Sequence, residues 1–282
     1  MARQVPSLRE FEERFPDEEA CWQHVRRARW GEGFTCPRCG EAQRWGFVRT
    51  RSLFQCNRCH YQCSVTAGTI LEDTKLALRT WFLAAFLVLT TKKGISTAEL
   101  ARKLGVHQET AWFLHQKLAR VVRRSKGREL FGLVEADETF LFGLRKPGGR
   151  GRGTGRAIVL GLVENRGEKA GRLRLVHVDA ATRDQLHPPV EAAVRPGSVV
   201  RTDGLQSYRG LDRFDHDRIP LVVTGEHAHQ RLPWVHTVFS NLKRVLEGVH
   251  THVSQERLQP YLDVFEHRFN HRSNLGLSLI HI

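Results

Sequence analysis

Leu133-Val134-Glu135-Ala136-Asp137-Glu138-Thr139-Phe140-Leu141-Phe142 is the stretch on which the architecture turns. Its apolar, β-branched and aromatic residues read as a strand. Alternation places Val134 and Ala136 on one face, with Glu135 and Asp137 on the other. An acid in the middle of an apolar strand is costly unless it meets a cation or a partner. Downstream, 156–164 and 172–179 read as two further strands in antiparallel sequence. Between the first two lies 143–155, where six glycines and four basic residues (Arg145, Lys146, Arg150 and Arg152) make a cationic loop expected to contact DNA. A helix over 182–194 leads through Pro196-Gly197 into a fourth strand, 198–203, which ends on Asp203-Gly204. A short helix near 206–208 and a strand over 219–223 follow. A helix then starts at Pro233, where a missing N–H has no intrahelical partner to lose. The last helix, 254–272, carries Leu258, Leu262, Phe265 and Phe269 on one stripe. Three antiparallel strands, a helix and a further strand form the opening of a ribonuclease H-like domain. Acids on adjacent strands of such a sheet can share divalent metals, the arrangement that drives phosphoryl transfer.

Upstream the chain changes character. Residues 7–30 predict one or two short helices with Phe11, Phe15, Cys21, Trp22 and Val25 inward. Then Cys36-Pro-Arg-Cys39 and Cys56-Asn-Arg-Cys59 form two C-x2-C knuckles with 16 residues between them. Four thiolates so spaced can close a tetrahedron around Zn²⁺ and leave no open position, so the predicted zinc is structural. Cys63 reads as a small buried residue and His60 as surface. Arg38, Arg44, Arg49, Arg51 and Arg58 flank the knuckles, as a phosphate-facing ribbon or as a solvated basic surface. Helices are expected over 76–90, 96–105 and 108–124. The last two, joined by a turn with Gly105, make a helix-turn-helix candidate. Leu100, Leu104, Val106 and Ala111 would pack inside it, and Gln108, Glu109 and His115 would face a DNA groove. Between Lys117 and Arg128 six basic residues occur without an acid, and Lys117, Arg120, Arg123 and Arg124 are expected to contact DNA.

Composition is consistent with this. In 282 residues, 44 Lys and Arg against 30 Asp and Glu give a net charge of +14, which points to a polyanionic partner. The longest strongly apolar run, 81–89, is far short of the roughly 20 residues a membrane span needs. No signal-peptide segment opens the sequence. A soluble cytoplasmic protein with reduced thiols is expected.

The knuckles, Gly68–Lys75, Val134–Thr139, Thr202-Asp203-Gly204, Leu242-Lys243-Arg244 with Gly248, His252-Val253-Ser254 and 268–272 resemble, in order, the motifs of bacterial insertion-sequence DDE transposases. These carry an N-terminal zinc ribbon and an RNase H-like, ISXO-like catalytic domain. The resemblance implies a multidomain α+β chain: zinc ribbon in 1–75, helix-turn-helix in 76–128, and an RNase H-like catalytic domain in 129–282 with a mixed five-stranded sheet flanked by helices. It implies metal-dependent strand cleavage and strand transfer with Mg²⁺ or Mn²⁺ on double-stranded DNA, at transposon ends and target. It further implies a homodimer or larger synapse at the bacterial nucleoid. Asp137 and Asp203 would be the first two catalytic carboxylates. The family's third ligand is usually a Glu seven residues before a Lys, and here His236 stands seven before Lys243. Asn241 is the rival ligand. Lys243 would hold a phosphate, and Arg268 and Arg272 would do similar work or snorkel. The competing function is a catalytically impaired or domesticated zinc-ribbon, helix-turn-helix DNA-binding protein.

Overall fold

The computed structural model describes residues 6–31, 33–124, 127, 129–141, 156–211, 217–220, 232–250 and 253–272, the side chains of 124 and 217–220 excepted. These fall into two compact units, one of residues up to 91 with 97–121, the other of 92–96 with 122–272. Among the described residues no helix is long and apolar enough to cross a membrane.

In the first unit, α1 (Leu8–Arg14) begins in a capping box. The Ser7 hydroxyl accepts from the Glu10 N–H, and the Glu10 carboxylate accepts from the Ser7 N–H. Asp17 caps α2 (Glu18–Trp30). Strands β1 (Trp45–Val48), β2 (Leu53–Cys56) and β3 (Gln62–Ser64) make an antiparallel meander. Its core is Phe34, Phe54, Cys36, Cys56 and Cys63, with Trp22, Trp30 and Trp45 packed against it. Helices α3 (Leu78–Thr90), α4 (Thr97–Leu104) and α5 (Gln108–Arg124) follow. No side chain of its own caps α3. Instead the Glu18 carboxylate accepts from the N–H groups of Leu78 (2.7 Å) and Arg79 (3.0 Å). Leu100 and Ala111 are fully buried. His115 is buried too, at 2 % exposure, which removes it from any groove-facing surface. It lies four residues past Ala111, so the helical period carries it to the same inward face.

The second unit holds β4 (Leu133–Leu141), β5 (Ala157–Asn165), β6 (Ala170–Val178), α6 (Arg183–Ala193), β7 (Val199–Thr202), β8 (Asp217–Pro220), α7 (Pro233–Val249) and α8 (Leu258–Asn270). The five strands form one mixed sheet in the order β6-β5-β4-β7-β8. Pairs β4/β5 and β5/β6 are antiparallel, whereas β4/β7 and β7/β8 are parallel. The alternation read in β4 is realised. Val134 and Ala136 join Leu160, Leu162, Leu186, Val190 and Tyr208 in the core on the α6 side. On the other face, Val159, Leu173 and Leu175 pack with Val235, Phe239, Leu242, Leu258 and Leu262 of α7 and α8. Strand β5 is buried on both faces, as a central strand covered by two helical layers must be.

Strand β6 is a sheet edge, and α8 covers it in an unusual way. The Leu173 N–H donates to the Asn270 Oδ1 (2.7 Å), that of Leu175 to the Glu266 Oε2 (3.0 Å), and that of His177 to the Gln259 Oε1 (2.8 Å). In return Asn270 Nδ2 donates to the Leu173 carbonyl and Gln259 Nε2 to the Leu175 carbonyl. The buried Glu266 also pairs with Arg174 at 2.5 Å.

Helix α7 sits close to the sheet because of one glycine. A Cβ on Gly161 would meet Phe239 Cε1 at 2.6 Å, its Cζ at 2.8 Å and Val235 Cγ2 at 3.2 Å. Gly161 is also the cross-strand partner of Asp137. Gly161→Ala is therefore expected to lower stability by about 1–3 kcal/mol, the usual cost of overpacking. A urea titration followed by circular dichroism checks this. An unchanged midpoint would show that α7 is free to retreat.

Candidate metal and active site

The four cysteine sulfurs of the ribbon lie within 4.8 Å of one another. Cys36 Sγ stands 3.6 Å from Cys59 Sγ, and Cys39 Sγ is 3.6 Å from Cys56 Sγ. Tetrahedral Zn–S bonds of about 2.3 Å require S···S spacings of about 3.8 Å, so the cluster fits Zn²⁺. Burial pushes the Cys56 thiol up. The backbone N–H groups of Cys59 and Arg58, with the neighbouring thiols, more than offset this and bring it to about 7. Cys39 moves the other way: its bond to the Glu41 backbone lowers it, but burial and the hydrogen-bonded thiols of Cys59, Cys56 and Cys36 outweigh this and push it up to about 12, so the thiols divide their protons unevenly. Cys63 is buried and His60 exposed. All five flanking arginines are exposed.

In the second unit three elements converge on Asp137. It lies on β4 at 8 % exposure, facing α7. The last parallel pair of β4 and β7 is Ala136 with Thr202, so Asp137 and Asp203 are the next residues on neighbouring strands. Gly204 has a positive φ of 86°, and Asp203 Oδ1 accepts from the Leu205 N–H at 2.9 Å, which turns the chain off the strand. From α7, His236 Nδ1 stands 3.8 Å from Asp137 Oδ2. That is too long for a direct hydrogen bond. Two donors each about 2.1 Å from one ion sit roughly 3–4 Å apart, so the spacing suits a shared cation. Lys243 follows seven residues later on the same helical face. Asn241 lies roughly 140° round the helix from His236 at 100° per residue, on the other flank of the buried stripe.

Burial, then repulsion from Glu138 and Asp203, pushes the Asp137 carboxyl up to about 8, and Lys243 offsets part of this. As donors, two carboxylates and an imidazole would offer a mixture of oxygen and nitrogen that Mn²⁺ tolerates better than Mg²⁺. Among the described residues only the four cysteines have all ligand atoms within 4.8 Å of one another. Asp137, Asp203 and His236 are more widely spaced than that, with His236 Nδ1 3.8 Å from Asp137 Oδ2.

The weakened acidity of Asp137 has a measurable consequence for stability. Between its ordinary value of 3.8 and about 8, Asp137 is protonated in the folded chain and ionised in the unfolded one. The folded state binds more protons there, so Asp137's contribution makes metal-free stability fall as pH rises through that window and level off above it. Asp137→Asn should remove a slope on the order of 1 kcal/mol per pH unit. Urea midpoints of wild type and variant at pH 5 and 8 test this. A gap that does not widen with pH contradicts it.

Two more acids on β4 were not assigned roles by the sequence. Glu135 is fully buried; its Oε2 accepts from the N–H groups of Trp234 and Val235, both at 2.9 Å, and its Oε1 accepts from Asn165 Nδ2 at 2.7 Å. Glu138 Oε2 accepts from the hydroxyl of Tyr208 at 2.9 Å. Tyr208 is fully buried, and that burial, followed by the Glu138 and Asp137 carboxylates, raises its phenol well above the ordinary value. It ties the chain just beyond Asp203 back to β4.

The expected DNA contacts divide. Arg120 and Arg123 are exposed. Lys117 is half-buried: its ammonium donates to the Ile70 carbonyl and lies over the rings of Trp81 and Phe113. Arg268 donates to the Lys92 carbonyl. Arg272 donates to the carbonyls of Gly171, Phe269 and Ala170 and stacks on Phe269 at 4.2 Å, so its guanidinium is engaged within the fold. The Arg124 side chain, and Arg145, Lys146, Arg150 and Arg152, lie outside the described residues.

A ribbon of four cysteines followed by this sheet and its acids defines a class that known sequences also delineate. The ISXO2-like transposase domain matches residues 129–270, and the transposase zinc-ribbon domain matches residues 16–62. The chain belongs to the ISXO2-like transposase family. A relative, an uncharacterized protein in transposable element ISH50 of Halobacterium salinarum, is 28 % identical over 257 residues, covering 85 % of this chain and 86 % of its own. That relative is archaeal, so membership does not by itself assign a bacterial source. Among solved structures, a pre-cleavage Mos1 transpososome aligns with 70 % of this chain and 77 % of its own at 11 % identity and a TM-score of 0.32. A Mos1 transposase paired-end complex with left transposon end aligns with 70 % and 78 % at 11 % identity and 0.29. Likenesses of that depth bear on nothing that follows.

Proposed function

We propose that the second unit is an RNase H-like catalytic domain that cleaves DNA strands at insertion-sequence ends and transfers the freed 3′-hydroxyls into target DNA. The observation that supports this is His236 Nδ1 at 3.8 Å from Asp137 Oδ2, with Asp203 following the β7 residue paired beside Ala136 and Lys243 on the His236 face of α7. Divalent metal, held by these three residues, supplies Lewis-acid stabilisation of charge at the phosphate. In the first step water attacks phosphorus and the bond to the 3′-oxygen breaks, leaving a 3′-hydroxyl. In the second that hydroxyl attacks a target phosphodiester, joins the target's 5′-phosphate, and displaces the target's 3′-oxygen, which leaves as a 3′-hydroxyl. Lys243 holds a phosphate oxygen at the site. Flank geometry favours His236 over Asn241 as third ligand.

Zn²⁺ in the 1–75 region is structural, and α4 with α5, within 76–128, forms a helix-turn-helix whose exposed Arg120 and Arg123 meet phosphates. Residues 129–282 form the catalytic domain. Two element ends processed together imply a homodimer or larger synapse, and a DNA substrate places the chain at the nucleoid in the cytoplasm. The intact pair Asp137 and Asp203 favours an enzyme over a binding protein that has lost catalysis.

Incubating the protein with end-containing duplex and either Mn²⁺ or Mg²⁺ tests the proposal. Wild type should cut, more efficiently with Mn²⁺, and His236→Ala should lose at least about 100-fold in rate, in line with removal of one transition-state stabilising group. His236→Glu should restore cutting and shift preference toward Mg²⁺. No cleavage by wild type in either metal would sink the enzymatic reading, and full activity of His236→Ala would remove His236 from the site.

A further inference from the structure

We propose that Glu135 is a positioning residue for the metal site: from β4 it fixes the first turn of α7, and with it His236, over Asp137. Helix α7 has no capping side chain of its own; Leu232 stands at its N-cap and Pro233 has no N–H to satisfy. The first free N–H groups belong to Trp234 and Val235, and both donate to Glu135 Oε2 at 2.9 Å. Helix starts leave such donors orphaned and carry partial positive charge, so a buried carboxylate is a suitable acceptor. The other carboxylate oxygen is held by Asn165 at 2.7 Å, which fixes the rotamer. With both oxygens facing N–H donors, Glu135 holds backbone rather than a cation.

The geometry makes the anchor specific to the site. Glu135 and Asp137 are two residues apart on one strand face, about 6.8 Å along the chain. Val235, which Glu135 holds, immediately precedes His236, whose Nδ1 is 3.8 Å from Asp137. One strand thus carries both an acid of the metal site and the clamp on the helix that brings the third ligand. Groups that orient ligands from behind typically change metal affinity 10–100-fold when removed.

This inference rests on His236 as a ligand, and the test separates the two. The full-length protein is titrated with Mn²⁺ and observed by electron spin-echo spectroscopy, which registers a coordinated imidazole nitrogen. Wild type should show the nitrogen modulation, and His236→Ala should not. E135A should bind Mn²⁺ about 10–100-fold more weakly and lose most of the modulation at equal Mn²⁺. E135Q, which keeps an oxygen toward the two helix N–H groups but turns an amide NH2 toward Asn165 Nδ2, should recover part of both. Should E135A fail to fold, Asn165→Ala removes one of the three anchors and should weaken both readouts in the same direction. Wild-type affinity and modulation in a folded E135A, or in Asn165→Ala where that variant stands in, overturn the positioning role alone. No modulation in wild type overturns the third-ligand reading and this inference with it.

Discussion

Asp137→Ala should abolish strand cleavage, with a rate loss of about 10³-fold or more, while DNA affinity stays within about threefold. Several kcal/mol of charge stabilisation at the phosphate depend on the metal this carboxylate would hold, and each 1.4 kcal/mol is about tenfold in rate. Asp203→Ala should behave alike, because the two carboxylates are neighbours across the β4/β7 pair. Both variants should fold, for a physical reason. Desolvation first, then the nearby Glu138 and Asp203, make a carboxyl at 137 costly to bury, so its removal does not cost the fold a stabilising charge. Gel assays of cleavage and binding on the same end-containing duplex, with a melting curve for each variant, make the comparison. Undiminished cutting by Asp137→Ala would end the assignment of this acid to catalysis.

Zinc removal should have the second large effect. The ribbon's sheet is three short strands, and its core is largely cysteine and aromatic rings. So small a core cannot sustain itself, and structural zinc typically supplies about 10–16 kcal/mol in such modules. Chelation, or Cys36→Ser with Cys39→Ser, should unfold residues 35–64 and quench the ordered environment of Trp22, Trp30 and Trp45. The second unit, with its own two cores on either side of a five-stranded sheet, should keep its cooperative melt. Tryptophan fluorescence and limited proteolysis report the two regions separately. A zinc-free protein with native fluorescence and no new cleavage in the ribbon would contradict the expectation.

The local features were legible in the chain itself. Two cysteine knuckles announced the ribbon, alternation in β4 aimed Asp137 and Glu135 the same way, and Pro233 marked the first residue of α7. What periodicity cannot show is the partner across a large sequence separation. Glu135 was visible as an acid needing a cation or partner, but its partners are backbone N–H groups 99 and 100 residues away. The same limit governs the basic residues. Lys117 and Arg272 look like their exposed neighbours in a string of letters, yet carbonyls distant in sequence engage them. His115 was misplaced because spacing from Ala111, rather than side-chain polarity, decides its face. Helix flanks, by contrast, follow from simple rotation, which puts His236 and Lys243 on one face of α7.

The seam between α8 and β6 has a consequence for how copies of this chain can meet. Three amide-bearing or acidic side chains, Gln259, Glu266 and Asn270, imitate the hydrogen-bonding row of a missing strand, with five bonds to the backbone of β6. An intruding strand would have to displace all five and leave the buried Glu266 and Arg174 without their setting. The sheet is thereby finished on that side. Were copies of the chain to meet, they could not do so by prolonging this sheet past β6.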